Sequence, residues 1–148
     1  MQFQHLVDIN PPGSAQLTAE QIWRGLVCKA ENPRLFIAAL DDFRLLDRGR
    51  DWLARELRFG TTLIRDRVTF LPPDRMRQEV EAAPMVPGAL LEICIESDAT
   101  GRIGVRFEYR TDRGPADAQY EGIVRQAYVD ADTDAIEVIR QMAGAGEL

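Results

Sequence analysis

The chain has 148 residues, 45% of them hydrophobic and 28% charged, which is the balance of one folded globular domain over residues 1–148. A net charge of −6 would repel a phosphate backbone, so nucleic acid is not an expected partner. No apolar run approaches the roughly 20 residues that span a bilayer, the first residues lack the features of a secretory signal, and two cysteines indicate no disulfide framework; we therefore expect a cytoplasmic protein without a membrane span.

The first segments predict a strand followed by two helices. Residues Phe3 to Ile9 alternate between apolar and polar side chains, which is typical of a half-buried strand. After a Pro-Pro-Gly loop, Thr18 and Gln21 have the spacing of a capping box at a helix start. Asn32-Pro33 predicts a second, short helix. The first helix has one apolar stripe, made of Ile22, Trp23, Leu26, Val27 and Ala30.

From about Asp42 to Thr111 the hydrophobic period changes to two, which favours strands. Turn residues divide this stretch into six strands, at Gly49, Gly60, Pro72-Pro73, Pro84 to Gly88 and Gly101. The last strand alternates cleanly, and this places one face in the core and the other in water. Such alternation is the pattern of an antiparallel sheet.

The chain ends in a predicted helix from Pro115 to about Met142, with Gly144 as its stop. Its predicted inner stripe is Tyr120, Val124, Ala127, Ala131, Ala135, Val138 and Met142. The element order is therefore β-α-α-β6-α. A seven-stranded antiparallel sheet with its helices on one face, an α+β architecture, buries every amphipathic element at once.

This element order and several local motifs resemble a known family. The motifs are FQHLVDIN at 3–10, LTAEQIWRGLV at 17–27, AENP at 30–33, and RELRFG at 55–60 followed by RDRV at 65–68. They are similar to the START-like (SRPBCC) superfamily, which includes the major birch pollen allergen, and within it to an AtaL-like branch. Some fungal members of that branch are associated with secondary-metabolite clusters. The resemblance covers essentially the whole chain and implies a helix-grip fold with an internal cavity, but it supplies no catalytic residue to carry over.

A register argument gives the main chemical prediction. If Phe59 and Thr62 flank a two-residue turn, Leu57 faces Ile64 on the inner side of the hairpin and Leu53 faces Val68. The same register sets Arg55 opposite Asp66 on the inner side and Glu56 opposite Arg65 on the outer side. A charge in an apolar cavity needs a partner. Arg55 and Asp66 are therefore either a structural ion pair or a pair whose spare Arg55 donors meet a ligand.

Other inward positions carry polar groups with two readings each. His5 is the only histidine, and it is either a hydrogen-bonded core residue or a pocket donor and general base. Gln78, Tyr109 and Tyr120 are either a sparse polar lining of a ligand pocket or, for the tyrosines, aromatic core. The alanines at 127, 131 and 135 let the helix sit close to the sheet or leave room for a ligand.

Motifs for metals and cofactors are missing from the sequence. The segment Asp130 to Asp134 imitates a calcium loop, but Ala135 replaces its glycine and Gln141 its glutamate, so we interpret it as a solvated acidic helix face. No phosphate-binding loop, dinucleotide fingerprint or nucleophile elbow occurs. We expect no metal and no cofactor.

Three functions stay open, in this order. The first is binding of an apolar or amphipathic small molecule between the sheet and the C-terminal helix, with an apolar body and one polar or anionic end. The second is a cyclase or lyase of secondary metabolism that uses His5, Arg55 and Asp66 for proton transfer. The third is an interaction protein, such as a homodimer, that uses the outer sheet face or the apolar loop at Met85-Val86.

Overall fold

The computed structural model describes residues 1–112 and 118–148. It contains seven strands and two α-helices, with a short 3₁₀ helix at Pro33–Leu35 after the first of them. The elements in chain order are β1 (Gln2–Asp8), α1 (Ala19–Glu31), β2 (Asp42–Arg48), β3 (Trp52–Phe59), β4 (Thr62–Leu71), β5 (Arg75–Val80), β6 (Ala89–Ser97), β7 (Ile103–Thr111) and α2 (Ala118–Gly144).

The seven strands form one antiparallel sheet in the order β1-β7-β6-β5-β4-β3-β2. Strands β2 to β7 are joined as consecutive hairpins, and β1 pairs with β7 at one edge. The predicted register of the β3–β4 hairpin is confirmed: Arg55 pairs with Asp66 and Glu56 with Arg65. The seven-stranded α+β prediction is also confirmed.

The start of α1 follows directly from local chemistry. The Gln21 backbone N–H donates to the Thr18 hydroxyl at 3.1 Å, and the Thr18 N–H donates to the Gln21 side chain at 2.9 Å. This is the predicted capping box. The second predicted helix is only the 3₁₀ turn that begins at Pro33, and Asn32 caps it without a side-chain hydrogen bond.

The core lies between the concave face of the sheet and the two helices. Its most deeply buried members are Ile9, Ile22, Leu53, Val68, Val105, Phe107 and Ile139. Where α1 crosses α2, Gly25 faces Ile139 so closely that an added Cβ would lie 2.5 Å from its side chain. The absence of a side chain at Gly25 therefore sets the distance between the two helices.

The predicted inner face of α2 is wrong over its first half. Tyr120 is 45% exposed, and Ala127 and Ala131 are also exposed. The buried face is instead centred on Asp132, Ala135, Ile136 and Ile139. Because Asp132 at the centre of this face is polar, the apolar pattern predicted Ala131, one residue earlier, as the inward position. On a helix of 3.6 residues per turn, one residue corresponds to a rotation of the buried face by about 100°. Asp132 is 2% exposed, so the prediction of a solvated acidic face over residues 130–134 fails there.

Other boundary predictions fare differently. The predicted start of α2 at Pro115 lies outside the described residues. The helix ends at Gly144 as expected, although the residue with positive φ that follows it is Gly146. Met85 is 99% exposed in its loop, as predicted. Within residues 1–112 and 118–148, no helix has the length and hydropathy needed to cross a bilayer.

We predict that Gly25→Ala destabilises the protein by about 1–3 kcal/mol, because overpacking against Ile139 outweighs the better helix propensity of alanine. Gly122→Ala on α2 is the matched control, since nothing lies within 4 Å of its added Cβ. The control should gain about 0.5–1 kcal/mol. Urea unfolding measures both, and an equal response of the two variants would contradict the close helix crossing.

Candidate ligand site on the concave face

A cavity of about 200 Å³ lies between the concave face of the sheet and the segment formed by α1 and the 3₁₀ turn. Strands β3 to β6 form its floor. Its walls are mainly apolar, from Leu26, Ala30, Pro33, Ile37, Leu57, Phe59, Ile64, Met76, Val80 and Ile93. Its polar lining consists of Lys29, Arg55, Asp66 and Gln78. An apolar pocket with few polar groups is the usual composition of a small-molecule site.

The Arg55–Asp66 pair lies at the cavity floor and is closely satisfied. The Arg55 Nε donates to Asp66 Oδ1 at 2.8 Å, and its Nη2 donates to Oδ2 at 2.6 Å. The Gln78 amide donates to the same Oδ2 at 2.9 Å. Arg55 is 4% exposed and Asp66 5% exposed. This two-pronged geometry is the strong form of a charge-assisted pair.

A third bond of Arg55 ties the sheet to α1. Its Nη1 donates at 2.8 Å to the backbone carbonyl of Ala30, in the last turn of the helix. Carbonyls in a last turn have no partner within the helix, and the helix dipole adds negative charge there. Arg55 therefore links β3, β4 and α1 by hydrogen bonds, which supports the interpretation of Arg55–Asp66 as a structural ion pair.

Lys29 is the second cation in the cavity lining, beside the paired Arg55. It lines the wall from the last turn of α1 and is half-buried. Among the described residues it makes no hydrogen bond and no ion pair. Burial lowers the pKa of its amine, the positive charge of Arg55 lowers it further, and the charge of Asp132 partly opposes this. Lys29 therefore has donors and charge available to a ligand.

A second polar cluster ties α2 to the edge of the sheet. Asp132 Oδ2 lies 2.7 Å from His5 Nε2 on β1. The Tyr109 hydroxyl on β7 donates to both Asp132 oxygens, at 2.8 and 2.6 Å. The Tyr109 ring stacks on Tyr128 of α2 with centroids 4.1 Å apart. The cluster joins the first strand to the last strand and to the helix that follows it.

Burial dominates the electrostatics of this second cluster. It raises the pKa of Asp132, while the hydrogen bonds from Tyr109 and His5 and the charge of Lys29 pull in the opposite direction. Burial and the neighbouring Asp132 also raise the pKa of the Tyr109 hydroxyl, which keeps it protonated as a donor. Lys29 is electrostatically coupled to both Asp132 and Arg55, so it lies between the two clusters.

The structure divides the predicted site residues into four groups. Arg55, Leu57, Asp66 and Gln78 line the cavity together. His5 and Tyr109 belong to the Asp132 cluster, and Val124 is half-buried on α2. Tyr120, Ala127 and Ala131 are exposed and do not line this cavity. This cavity lies against α1, and within the described residues no α2 side chain lines it.

Two site residues were missed from the sequence. Lys29 had a signal, since it is the only lysine among 18 strongly basic residues. Asp132 was assigned to a solvated acidic run. Its signal was its spacing from Ile136 and Ile139, which lie four and seven residues further along the same helix face. Within the described residues, no group of three His, Cys, Asp or Glu side chains could hold a metal ion.

A curved antiparallel sheet wrapped around a long C-terminal helix, with a cavity on its concave side, defines the helix-grip class of proteins. The chain belongs to the AtaL family, described as "Acetylaranotin biosynthesis cluster protein L", whose model matches residues 3–146. No match was found among curated proteins.

Three solved structures show the same fold. The Zhui aromatase/cyclase from a Streptomyces species is 18% identical with a TM-score of 0.66, over 100% of this chain and 99% of that one. The Aha1 dimer from Colwellia psychrerythraea is 12% identical with a TM-score of 0.65, over 95% and 96%. The di-domain ARO/CYC StfQ from the steffimycin biosynthetic pathway is 9% identical with a TM-score of 0.71; this chain, 97% covered, spans 51% of its length. At these identities the likeness is one of fold.

We predict that Asp66→Asn costs about 3 kcal/mol of stability, because it leaves the Arg55 charge buried without its partner. Arg65→Gln is the matched control: it removes the hairpin's outer pair with Glu56, where Arg65 is 60% exposed. The control should cost about 0–1 kcal/mol. Urea unfolding compares the two. If both variants unfold at the same urea concentration, the Arg55–Asp66 ion pair does not stabilise the fold as inferred here.

We predict that Asp132→Asn makes the protein more stable at neutral pH. The raised pKa of Asp132 means that folding holds a proton which the unfolded chain releases. Stability is therefore lost as pH rises from the ordinary value of 3.8 through the raised one. Asparagine removes this cost and can still accept from Tyr109 and donate to His5.

Asp132→Ala is the control, because it leaves both neighbours without a partner and should cost about 2 kcal/mol. Thermal unfolding from pH 3 to pH 8 distinguishes the variants. The Asn variant should match the wild type below pH 3.8 and exceed it above the raised pKa. An Asn variant less stable than the wild type at pH 7 would show that the carboxylate is favourable in the fold.

Proposed function

We propose that this protein binds a small amphipathic molecule in the concave-face cavity. The apolar body of the ligand lies against side chains such as Leu57, Met76 and Ile93, and its polar end meets Lys29. The observation that carries this proposal is an apolar cavity whose wall holds a cation with no partner among residues 1–112 and 118–148. Burying such a cation is unfavourable unless something pairs with it, and a bound ligand would do so.

The cavity limits the size of the ligand. About 200 Å³ corresponds to roughly seven molecules of liquid water and lies below the ~300–1,000 Å³ of many ligand sites. A two-ring aromatic molecule is of this size. Asp66 and Arg55 neutralise each other, so Lys29 leaves the lining with an excess of positive charge. This favours an anionic or electronegative polar end.

We assign the polar end of the proposed ligand to Lys29 rather than to Arg55. A guanidinium has five N–H donors, and Arg55 already uses three of them on Asp66 and Ala30. The Lys29 ammonium has three donors and uses none on the described residues. The ligand is therefore expected to approach α1 rather than the centre of the β3–β4 hairpin.

A cyclase-type reaction is the second candidate. His5 and Asp132 lie 2.7 Å apart and could exchange a proton, and two similar solved structures are named as aromatase/cyclases. We place binding first because neither side chain lines the cavity and Arg55 and Asp66 are paired with each other through two hydrogen bonds. The homodimer stays a prediction.

Calorimetric titration with naphthoate and with naphthalenemethanol tests the binding proposal, because the two share one ring system and differ in charge. Naphthoate should bind at one site. Val80→Phe fills the cavity rim and should weaken binding about tenfold or more, a loss of 1.4 kcal/mol. Leu63→Phe, on the exposed outer side of β4, should leave the affinity unchanged.

Lys29→Met tests the polar end. It should weaken naphthoate several-fold while naphthalenemethanol changes little, because only the carboxylate uses the charge. Two results would contradict the proposal: affinity that is equal in the wild type and Val80→Phe, or equal loss of both ligands in Lys29→Met. Thermal unfolding confirms that each variant is folded before titration.

A further inference from the structure

The composition of the chain isolates Lys29. Of 18 lysine and arginine residues, 17 are arginine and the remaining one is Lys29. A guanidinium stays protonated in proteins, whereas an amine can lose its proton and act as a nucleophile. Lys29 is therefore the one strongly basic side chain of this chain that is capable of covalent chemistry.

The surroundings of Lys29 suit a neutral amine. The side chain lines the same cavity as Leu26, Pro33 and Ile37, whose side chains have no hydrogen-bond acceptor. Burial in the cavity wall lowers the pKa of the Lys29 amine; the charge of Arg55 also lowers it, and the charge of Asp132 raises it by more than Arg55 lowers it. Desolvation by apolar walls is one of the devices that activate lysine nucleophiles, and it is the main influence on Lys29 here. Half-burial leaves the amine accessible to a molecule that enters the cavity.

We propose that Lys29 condenses reversibly with an aldehyde or ketone group of the bound ligand to form an imine. This inference rests on the proposed binding function and names the chemical class of the ligand's polar end. The oxygen of a carbonyl group can accept a hydrogen bond from the protonated Lys29. The carbon of the same group reacts with the neutral amine without any further reagent.

The chemistry balances with water as the only co-product. The Lys29 Nζ lone pair attacks the carbonyl carbon, a C–N bond forms, and the carbonyl oxygen takes up the proton that the nitrogen loses. The resulting carbinolamine then loses its hydroxyl group and a proton as water, which leaves a C=N bond. Hydrolysis reverses both steps, so no oxidant or reductant takes part in the cycle.

Reductive trapping with naphthaldehyde and cyanoborohydride at neutral pH tests this proposal in the full-length protein. The reagent converts an imine into a stable naphthylmethyl amine, which intact mass and peptide mapping locate. The chain offers two amines, Lys29 and the amino terminus of Met1, and mapping separates them. We expect Lys29 to carry the first adduct, and naphthoate, which cannot form an imine, to slow its formation.

The matched control moves the lysine from the cavity to the surface of the same helix. In the double variant Lys29→Arg, Arg24→Lys the only lysine replaces Arg24, whose side chain is 54% exposed. Both proteins keep the same charge and the same number of amines. Lys29 in the wild type should be trapped about tenfold faster than the surface lysine, as expected for an amine with a larger neutral fraction.

The outcomes separate the two proposals. If naphthoate binds in the cavity but Lys29 is trapped no faster than the surface lysine, the imine proposal is wrong and the binding function stands. If naphthoate does not bind and does not slow trapping, the binding function fails, and the imine proposal fails with it. Trapping that is fast at Lys29, blocked by naphthoate and absent from Lys29→Arg supports both.

Discussion

The buried ion pair between Arg55 and Asp66 is the interaction on which the rest of the concave face depends. It crosses the β3–β4 hairpin, so it holds the register that places the apolar residues of both strands inward. The same guanidinium bonds the Ala30 carbonyl, so it also fixes where α1 ends over the sheet. A buried pair of this kind costs desolvation free energy, and its hydrogen bonds offset that cost only with good geometry. Here both carboxylate oxygens and three guanidinium N–H groups are engaged.

This neutral ion pair determines the role of Lys29 in the electrostatics of the cavity. Because the charges of Arg55 and Asp66 cancel each other, Lys29 alone sets the net charge of the cavity lining. Its position follows from α1, since Lys29 directly precedes the residue whose carbonyl Arg55 holds. The hydrogen bond from Arg55 that holds α1 on the sheet therefore also positions the Lys29 amine at the cavity. The contacts of Arg55 with Asp66 and Ala30 therefore contribute both to the fold and to the proposed ligand site.

The second cluster has a different role. Asp132 gathers His5 from the first strand and Tyr109 from the last, and so it seats α2 on the edge pair β1–β7. A carboxylate with two donors and little water is an arrangement in which protonation and packing are coupled. This separates the concave face into two parts, an ionic and aromatic seat for α2 and an apolar cavity under α1.

The sequence by itself determined the strand order along the chain, the capped first helix and the β3–β4 register, because each depends on neighbouring residues and on short periods. The pairing of Arg55 with Asp66 was predictable for the same reason. Only the tertiary structure decided which side of α2 is buried, because the burial of Asp132 depends on donors from strands more than 20 residues away. It also decided that the cavity lies under α1 and that Lys29 faces it. Such positions arise where separate elements meet, and no local pattern encodes that meeting.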